Sequence, residues 1–459
     1  MHFVGIGGIG MSGIAEVLLT LGYSVSGSDL QESETMRRLA RLGAQVHLGP
    51  HDAAHITEDI DVLVISSAVT FANPEVSRAR ELKIPVIPRA EMLAELMRMK
   101  YGIAVAGSHG KTTTTSLVAA VLREAGRDPT MVVGGKLRAL GTNARLGQGD
   151  ILVAEADESD GTFLLLSPII AVVTNIDREH LDYYGDMERV REAYLQFVHR
   201  VPFYGLAVLC LDNVNVRGLL PKVHKRFVTY GTSPDADWQA RDLRVGGLET
   251  VFEVWRGERR LGPVRLHMPG RHHALNALAA LAVAEDLEIP FRIAAHALEE
   301  FGGIHRRFEV KGEEGNVVVV DDYGHHPEEI RATLRAAREG FARRLVVAFQ
   351  PHRYSRTRDL FSDFLEAFDD ADTLVLTDIY PAGEERIEGV SAEALFQALK
   401  RRGHLDVHYV PAREQVAEEL LGIVRPGDLV LTLGAGDIHR TADEFLGLVR
   451  AGAPVPQFH

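Results

Sequence analysis

The stretch 101–115 constrains the fold of this chain more than any other. Its sequence, YGIAVAGSHGKTTTT, predicts a short buried strand, a tight glycine turn and then an amphipathic helix over 116–125. The backbone N–H groups of such a turn, together with those at the start of a helix, form a cradle for phosphate oxygens. Lys111 would reach the terminal phosphates and the Thr112 hydroxyl would bind magnesium, so ATP is the simplest ligand.

The match to the general phosphate-loop pattern has one departure. That pattern has a glycine five residues before Gly110, where this chain has Val105, so the loop is shorter than usual. A Gly-Lys-Thr sequence in an ordinary surface turn is therefore the alternative interpretation. The strand before the turn and the helix after it favour the phosphate loop, because this context is what gives the motif its function.

Length and composition set the limits for the rest of the chain. At 459 residues the chain is too long for one core, and we expect about three domains. A formal net charge of −14 argues against nucleic acid as the main partner. Cys210 is the only cysteine, so no intrachain disulfide can form. With neither a secretory leader nor a long apolar span in the sequence, we expect a soluble cytoplasmic protein with no membrane partner.

Residues 2–29 predict a strand, a glycine turn, a helix and a second strand. Gly5, Gly7 and Gly10 fit a dinucleotide-binding fingerprint, and Asp29 lies near the position of an acidic residue that would hold a ribose. This segment is too short for a complete dinucleotide fold, so a UDP-linked substrate fits better, and an NAD-dependent oxidoreductase is the alternative. Further short strands are expected at 44–48, 61–66 and 85–87.

Two acidic segments should lie beside the phosphate loop. Strands are expected over 151–156 and 169–174, and each leads into polar residues, at 155–160 and at 175–183. These residues would lie at the carboxyl edge of a parallel sheet, where α/β folds bind ligands. Carboxylate oxygens suit magnesium, and a solvated acidic turn is the alternative. Imidazole suits softer metals, so chemistry alone makes His180 a core or hydrogen-bonding residue more often than a magnesium ligand.

The C-terminal third returns to alternating strands and helices after a β-rich section at 202–265 and an alanine-rich helix ending near Leu287. From Arg306 the pattern predicts another doubly wound domain. Polar clusters again follow the predicted strands, at 321–327, 350–358, 380–384 and 434–437.

Histidines and arginines stand out in these clusters. A zinc site at His325, His326 and His352 would lack the usual spaced ligand sets, and helix caps or packed turns are the alternative. Arg353 and Arg356 follow a strand predicted to be buried, where forked guanidinium groups suit carboxylates and phosphates. A surface ion pair is the alternative for these two arginines.

At this point the chain resembles a known family, the Mur ligases of peptidoglycan precursor synthesis, over nearly its whole length. The resemblance implies an α/β fold with an N-terminal Rossmann-like domain (1–98) that binds the UDP substrate, a central phosphate-loop ATPase domain (99–305) and a C-terminal Rossmann-like domain (306–459) that binds the amino acid. The motifs that carry it are 5–11, 107–115, 155–160, 175–182, 321–327 and 350–358.

The resemblance also implies a reaction. ATP and Mg²⁺ would serve the ligation of L-alanine to the carboxylate of UDP-N-acetylmuramate through an acyl phosphate, in a monomer or homodimer. The nearest alternative is a recycling ligase of the same family that attaches a preformed tripeptide to the same sugar nucleotide. A nicotinamide-dependent oxidoreductase and a non-catalytic nucleotide-driven binding protein are the alternatives from other classes.

Site residues follow from the same resemblance, position by position. The implied catalytic residues are Lys111, Glu155 and His180. The implied metal ligands are Thr112, Glu155 and His180. The implied ATP-binding residues are Gly107, Ser108, His109, Gly110, Lys111, Thr112, Thr113, Asn276, Arg307 and Asp322. The implied substrate-binding residues are Gly5, Gly7, Gly8, Gly10, Asp29 and Ser67 for the sugar nucleotide, and Tyr323, His325, Arg353 and Arg356 for L-alanine.

Two departures from the family's patterns bear on function. The family often has asparagine at the position of His273, which affects adenine recognition. Several sister ligases carry a carbamylated lysine on the helix after the Asn-to-His motif, where its carbamate binds near a second magnesium. The corresponding helix here, 186–199, has no lysine, and Tyr194 stands at that position.

Overall fold

The computed structural model describes residues 1–66, 68–133, 144–145, 147–403 and 406–452. Within these residues the strands form three sheets, which confirms the predicted α/β class with three domains. Contacts divide the chain into two compact units, one comprising 1–242, 252–264 and 275–301, the other 243–251, 265–274 and 302–459. The domain boundaries 1–98, 99–305 and 306–459 stay a prediction.

The N-terminal sheet is parallel throughout, with the strand order β3-β2-β1-β4-β5. Short strands alternate with helices, and the strands lie close to where the sequence predicted them. The strands are β1 (His2–Val4), β2 (Ser26–Asp29), β3 (Gln45–Leu48), β4 (Leu63–Ile65) and β5 (Val86–Pro88). The helices are α1 (Ile9–Thr20), α2 (Glu34–Arg41), α3 (Pro74–Glu81) and α4 (Arg89–Arg98).

A buried carboxylate, Glu75 in the first turn of α3, ties this sheet together. Its oxygens lie 2.7 Å from the Ser28 hydroxyl, 3.3 Å from His2 Nε2 and 2.7 Å from His55 Nδ1. Burial alone would raise the pKa of Glu75, but the hydrogen bonds from His2, His55 and Ser28 lower it to about 2. Glu75 is therefore a charged centre to which two strands and a loop are bonded.

The central sheet has the order β15-β14-β13-β12-β11-β10-β6-β9-β7-β8. Its strands are β6 (Tyr101–Ala106), β7 (Thr130–Val132), β8 (Ala144–Arg145), β9 (Ile151–Glu155), β10 (Ile170–Val173), β11 (Leu206–Cys210), β12 (Phe227–Gly231), β13 (Trp238–Gly246), β14 (Glu249–Arg256) and β15 (Arg259–Leu266). Its helices are α5 (Lys111–Glu124), α6 (Leu181–Tyr184), α7 (Met187–His199), α8 (Val214–Leu219), α9 (Arg271–Asp286) and α10 (Phe291–Glu299).

The position of β6 decides where the site forms. This strand lies between β10 and β9 and is parallel to both, so the segments that follow all three strands meet at one edge of the sheet. Helix α5 begins at Lys111, five residues before the expected start at Ser116. Thr113, Thr114 and Thr115 are buried there, so tertiary packing outweighs the low helix propensity of threonine.

The C-terminal sheet has the order β16-β17-β21-β18-β19-β20, with β16 antiparallel to β17 and the remaining pairs parallel. Its strands are β16 (Glu309–Glu314), β17 (Val317–Asp322), β18 (Leu345–Phe349), β19 (Thr373–Leu376), β20 (Val407–Tyr409) and β21 (Leu429–Leu433). Its helices are α11 (Pro327–Gly340), α12 (Tyr354–Asp359), α13 (Phe361–Ala367), α14 (Ala392–Arg402), α15 (Val416–Ile423) and α16 (His439–Arg450). None of the helices that the structure describes has the length and apolar character needed to span a bilayer.

Candidate active site

The turn between β6 and α5 requires glycine at both of its ends. Gly107 has φ +141° and Gly110 has φ +79°, both in the region that other residues rarely adopt. A Cβ atom at Gly107 would lie 1.9 Å from the Thr174 hydroxyl oxygen, closer than any real contact. The turn is thus packed against the end of β10.

Side chains from the end of β10 hold the turn in place. The Asn175 amide accepts a hydrogen bond from the His109 N–H at 2.7 Å and donates one to the His109 carbonyl at 3.0 Å. The Thr174 hydroxyl donates to the same carbonyl at 2.6 Å. Ser108 Oγ accepts from the Asp177 N–H at 2.9 Å, and His109 Nε2 lies 3.2 Å from an Asp177 oxygen. The loop conformation is therefore fixed by the neighbouring strand.

Lys111 is the first residue of α5, directly after this turn. Its Nζ donates to the Gly107 carbonyl at 2.6 Å and to both Glu158 oxygens at 2.9 Å. Burial alone would lower the pKa of Lys111, but the negative charges of Glu158, Glu179 and Asp157 raise it above its ordinary value. Burial raises the pKa of Glu158, against the opposite effect of Lys111. The lysine is a fixed positive charge at the cradle.

Glu158, Glu179 and His180 bring one ligand atom each within 4.8 Å of one another. Two carboxylates suit a hard cation such as Mg²⁺, and the imidazole is a less usual third ligand. His180 has φ +55° and precedes the short helix α6, and its Nε2 lies 3.9 Å from Glu158. Glu155, at the end of β9, and Thr112, in the first turn of α5, are not members of this set.

Neither Glu158 nor Glu179 was among the residues predicted from the sequence. Both lie in acidic runs that it did identify, at 155–160 and at 175–183. Which carboxylate of a run faces the lysine depends on the turn after each strand, and no residue pattern specifies that turn. No signal in the sequence distinguishes Glu158 from Glu155, since both lie in the same acidic run.

Asn276, on α9, lies directly behind the phosphate loop. Its Oδ1 accepts a hydrogen bond from the Thr114 hydroxyl at 3.2 Å, and a Cβ atom at Gly110 would lie 2.8 Å from the same oxygen. The neighbouring Thr113 is also buried. His273, one turn earlier on α9, is buried, and its Nδ1 has no hydrogen-bond partner among the residues described. Burial lowers the pKa of His273 well below its ordinary value.

In the N-terminal domain the glycine turn after β1 is held by residues at the end of β2. The Gly5 N–H donates to the Ser28 carbonyl at 2.8 Å, and the Gly7 N–H donates to Asp29 Oδ2 at 2.9 Å. Gly5 has φ +81°, which favours glycine. Asp29, the residue predicted to hold a ribose, thus uses one of its oxygens to accept a hydrogen bond from the glycine turn.

The remaining predicted sugar-nucleotide residues lie at the start of α1 or outside the described part of the chain. Gly8 is the N-terminal cap of α1 and contributes no side chain to it. Gly10 lies in the first turn of the helix. Ser67 lies outside the described residues.

In the C-terminal unit, Asp322 at the end of β17 organises the loop that carries Arg307. Its two oxygens accept hydrogen bonds from the Phe308 and Gly324 N–H groups, both at 2.7 Å. Burial raises the pKa of Asp322 to about 6, against the opposite effect of Arg307. The Arg307 guanidinium lies over the Tyr323 ring, 5.4 Å from its centroid.

A cluster of aromatic and basic side chains lies beyond β17 and β18. The His325 and His352 rings are 5.6 Å apart, and Tyr380 stacks on His352 at 5.7 Å. Arg356 Nη1 lies 3.2 Å from His352 Nδ1. Burial lowers the pKa of His325 to about 3, and burial together with Arg356 and Arg353 lowers the pKa of His352 to about 4. Both imidazoles are therefore neutral near pH 7.

Arg353 stands at the entry to α12 in an unusual conformation. Its φ is +70°, and its N–H donates to the Tyr380 carbonyl at 2.9 Å. The structure thus places Arg353, Arg356, His325 and Tyr323 of the predicted set in one region of the C-terminal unit. Tyr380 was not predicted, although its segment 380–384 was identified as a polar cluster after a strand.

Three family models match consecutive parts of the chain. Residues 1–101 match the Mur ligase family catalytic domain, 105–284 the Mur ligase middle domain, and 306–436 the Mur ligase glutamate ligase domain. The three matched domains follow one another along the chain in the same order as the three sheets.

Whole-chain relatives agree with these models. The chain is 60% identical over 443 residues to the UDP-N-acetylmuramate–L-alanine ligase of Geotalea uraniireducens, covering 96% of each chain. It is 58% identical to the ligase of the same name from Myxococcus xanthus, covering 98% of this chain and 95% of the relative. The crystal structure of UDP-N-acetylmuramate-alanine ligase from Thermotoga maritima superposes with a TM-score of 0.81 at 32% identity, covering 98% and 99%. With its matched domains and near full-length relatives, the chain belongs to the Mur ligase family.

Proposed function

We propose that the chain is a UDP-N-acetylmuramate–L-alanine ligase, which uses ATP to join L-alanine to the carboxylate of UDP-N-acetylmuramate through an acyl phosphate. The observation that carries the chemistry is the position of Lys111, bonded to the Gly107 carbonyl and to Glu158 at the mouth of a strand-turn-helix phosphate cradle. The observation that carries the specificity is the 60% identity to a ligase of that name. ATP and Mg²⁺ are the proposed cofactors.

Each of the three predicted domains would bind one of the three reactants. Residues 1–98 bind the sugar nucleotide at the glycine turn after β1, since that turn offers backbone N–H groups at the start of a helix. Residues 99–305 bind ATP at the turn after β6. Residues 306–459 bind L-alanine, because their cluster of neutral histidines and two arginines suits a small carboxylate.

In the first step a muramyl carboxylate oxygen attacks the γ-phosphorus of ATP, the bond from that phosphorus to the β–γ bridging oxygen breaks, and ADP leaves as the acyl phosphate forms. Lys111 stabilises the charge that spreads over the transferring phosphoryl group, and the backbone N–H groups of the loop hold its oxygens. Glu158, Glu179 and His180 carry donor atoms suited to hold Mg²⁺, which when bound neutralises phosphate charge and orients the oxygens. Glu158 keeps the lysine ammonium aimed at the cradle through its two hydrogen bonds.

In the second step the amine of L-alanine attacks the acyl phosphate and phosphate leaves. Arg353 and Arg356 hold the alanine carboxylate, because a guanidinium presents two parallel donors to two oxygens. Since His325 and His352 are neutral, the arginines supply the positive charge in this region. Arg307 and Asp322 are assigned to the nucleotide, Asp322 acting through the loop that it organises, and Asn276 to adenine.

The test is release of ADP by the purified enzyme with ATP, Mg²⁺ and UDP-N-acetylmuramate. L-alanine, glycine, L-serine and the cell-wall tripeptide are compared at matched concentrations. We expect L-alanine to have the highest kcat/KM. Preference for the tripeptide would make the chain a recycling ligase. ATP binding without turnover of any acceptor would indicate a binding protein, and an absorbance change with NAD(P)H would indicate an oxidoreductase.

Two further assignments accompany the proposal. ATP and UDP-linked sugars are reactants of the cytoplasm, so the proposed enzyme works there. We assign it as a monomer or homodimer that binds small-molecule substrates, and light scattering of the purified enzyme measures this directly.

A further inference from the structure

The polar segment 380–384 lies against the start of the segment that carries the two arginines assigned to L-alanine. The Tyr380 N–H donates a hydrogen bond to the Pro351 carbonyl at 2.8 Å, and the Arg353 N–H donates one to the Tyr380 carbonyl at 2.9 Å. These two bonds pair Tyr380 with His352 in a single parallel bridge. No step of the proposed reaction uses the segment 380–384 directly, although polar clusters after other strands of the same sheet all carry assigned residues.

Glu384, at the end of this segment, holds the start of α12. Its Oε2 accepts a hydrogen bond from the Ser355 N–H at 3.0 Å, and its Oε1 accepts one from the Ser355 hydroxyl at 2.6 Å. Ser355 is the second residue of α12, where backbone N–H groups have no partner inside a helix. Among the described residues, the N-cap residue Arg353 forms no side-chain cap bond. The Glu384 carboxylate therefore caps α12 from a separate segment of the chain.

Glu384 carries a negative charge beside this helix start. Burial alone would raise its pKa, but the hydrogen bonds from Ser355 and the positive charge of Arg353 lower it below its ordinary value. An ionised carboxylate accepts stronger hydrogen bonds from N–H and O–H groups than a neutral acid does. It also offsets part of the repulsion between the guanidinium groups of Arg353 and Arg356, which are three residues apart and so are neighbours on one helix face.

The backbone of Arg353 lies between the contacts made by Tyr380 and by Glu384. Its φ of +70° is a conformation that a non-glycine residue keeps only where its surroundings fix it. The Tyr380 carbonyl fixes the N–H of Arg353 itself, and Glu384 fixes Ser355, two residues later. The segment 380–384 therefore determines how the chain turns from β18 into α12.

We propose that Glu384 is a positioning residue, which holds Arg353 and Arg356 in the arrangement that binds the carboxylate of L-alanine. The inference rests on the proposed function and adds to it a residue that acts through the arginines. A guanidinium binds a carboxylate through two parallel hydrogen bonds only when its donors are aligned with both oxygens. A small displacement of α12 therefore weakens substrate binding even when both arginines are present.

The test compares steady-state kinetics of Glu384→Ala, Glu384→Gln and wild type. Glu385→Ala is the matched control, because Glu385 is the next residue and is exposed. We expect Glu384→Ala to raise the KM for L-alanine about 10-fold, the effect of losing one charge-assisted hydrogen bond. The kcat and the KM values for ATP and UDP-N-acetylmuramate should stay unchanged. Glu384→Gln should lose less, since its amide oxygen still accepts one bond, and Glu385→Ala should match wild type.

A double-mutant cycle with Arg353→Ala separates positioning from general stabilisation. In the Arg353→Ala enzyme, Glu384→Ala should raise the KM for L-alanine by a smaller factor than in wild type, because one of the groups that Glu384 positions is gone. Equal factors in the two backgrounds, or an equal rise in the KM for ATP, would mean that Glu384 only stabilises the fold and would overturn the inference. An unchanged KM for L-alanine in Glu384→Ala would overturn it as well. Wild-type enzyme that does not use L-alanine would instead reject the proposed function.

Discussion

Lys111 is the residue on which the chemistry depends most directly. We expect Lys111→Ala to fold normally and to lose at least about 10²-fold in turnover, because one electrostatic group at a transferring phosphoryl contributes that much. The measurement is ADP release at saturating substrates. Lys222→Ala is the control, since that lysine is 61% exposed and its ion pair with Glu188 spans 4.0 Å. Near-normal activity in a folded Lys111→Ala enzyme would show that the turn is not a phosphate loop.

Glu75 gives a residue-scale prediction for pH. Its pKa of about 2 is lower than in the unfolded chain, so it contributes stability above pH 4.5 that is lost as the pH falls toward 2. We expect Glu75→Gln to lower the free energy of unfolding by about 3 kcal/mol near neutral pH. Urea unfolding measures this difference, which should be constant from pH 6 to 5 and should shrink below pH 4.5. A difference that grows in acid would contradict the assignment.

At the scale of elements, the residues of α7 determine whether the helix can supply an anionic metal ligand. It runs from Met187 to His199 without a lysine. Tyr194, which the family resemblance aligns with the carbamylated lysine of several sister ligases, is fully buried. Burial, and next the charge of Glu158, raise the pKa of the Tyr194 phenol well above its ordinary value. The side chain therefore stays neutral and supplies no anionic ligand.

We expect activity to be independent of bicarbonate for this reason. An arginine on α7 cannot replace the missing lysine, because its guanidinium stays protonated and is a poor nucleophile for carbon dioxide. The measurement compares ADP release in degassed buffer with and without bicarbonate, at fixed pH and ionic strength. A sister ligase that has the lysine, assayed in parallel, is the control. Clear rescue by bicarbonate would point to a carbamylated lysine elsewhere in the chain.

The strands could be predicted from the sequence, whereas the turns that follow them could not. The strands before the two acidic segments, and their meeting at one sheet edge, followed from apolar runs because parallel strands gather their carboxyl ends. The start of α5 at Lys111 could not be predicted in this way. Four consecutive threonines have low helix propensity, and only their packing against the sheet explains why they are helical. Glu158 was missed for a similar reason, because the turn after β9 selects it over Glu155.

At the scale of the whole molecule, the three-domain α/β organisation could be predicted from the order of motifs. Contacts between residues that are distant in the sequence could not be predicted, because they depend on how the elements pack. Ser355 and Glu384 are 29 residues apart, and their contact depends on how the segment after β19 packs against α12. Tyr380 joins the histidine cluster only because β19 lies beside β18. Such neighbours follow from strand order, which a single sequence leaves open.

The net charge of −14 makes a prediction for the molecule as a whole. Its phosphate-binding groups are local, so an extended polyanion should be repelled. We expect no binding of fluorescent duplex DNA at low salt, the condition that favours it most. Fluorescence anisotropy measures this, with a basic DNA-binding protein as positive control. Binding with a dissociation constant near 10⁻⁶ M, typical of non-specific binders, would refute the expectation.

The backbone conformation of Arg353 lowers the thermal stability of the protein, whereas its side chain is the group proposed to bind L-alanine. A non-glycine residue at φ +70° costs about 1–3 kcal/mol, so Arg353→Gly should melt at a higher temperature than Arg353→Ala, which keeps the strain. Both variants should show the same raised KM for L-alanine, because both lose the guanidinium. Differential scanning calorimetry and steady-state assays separate the two effects, and a glycine variant that melts lower would show that no strain is present. A library screened by heat alone would therefore discard this arginine and select a protein with a raised KM for L-alanine.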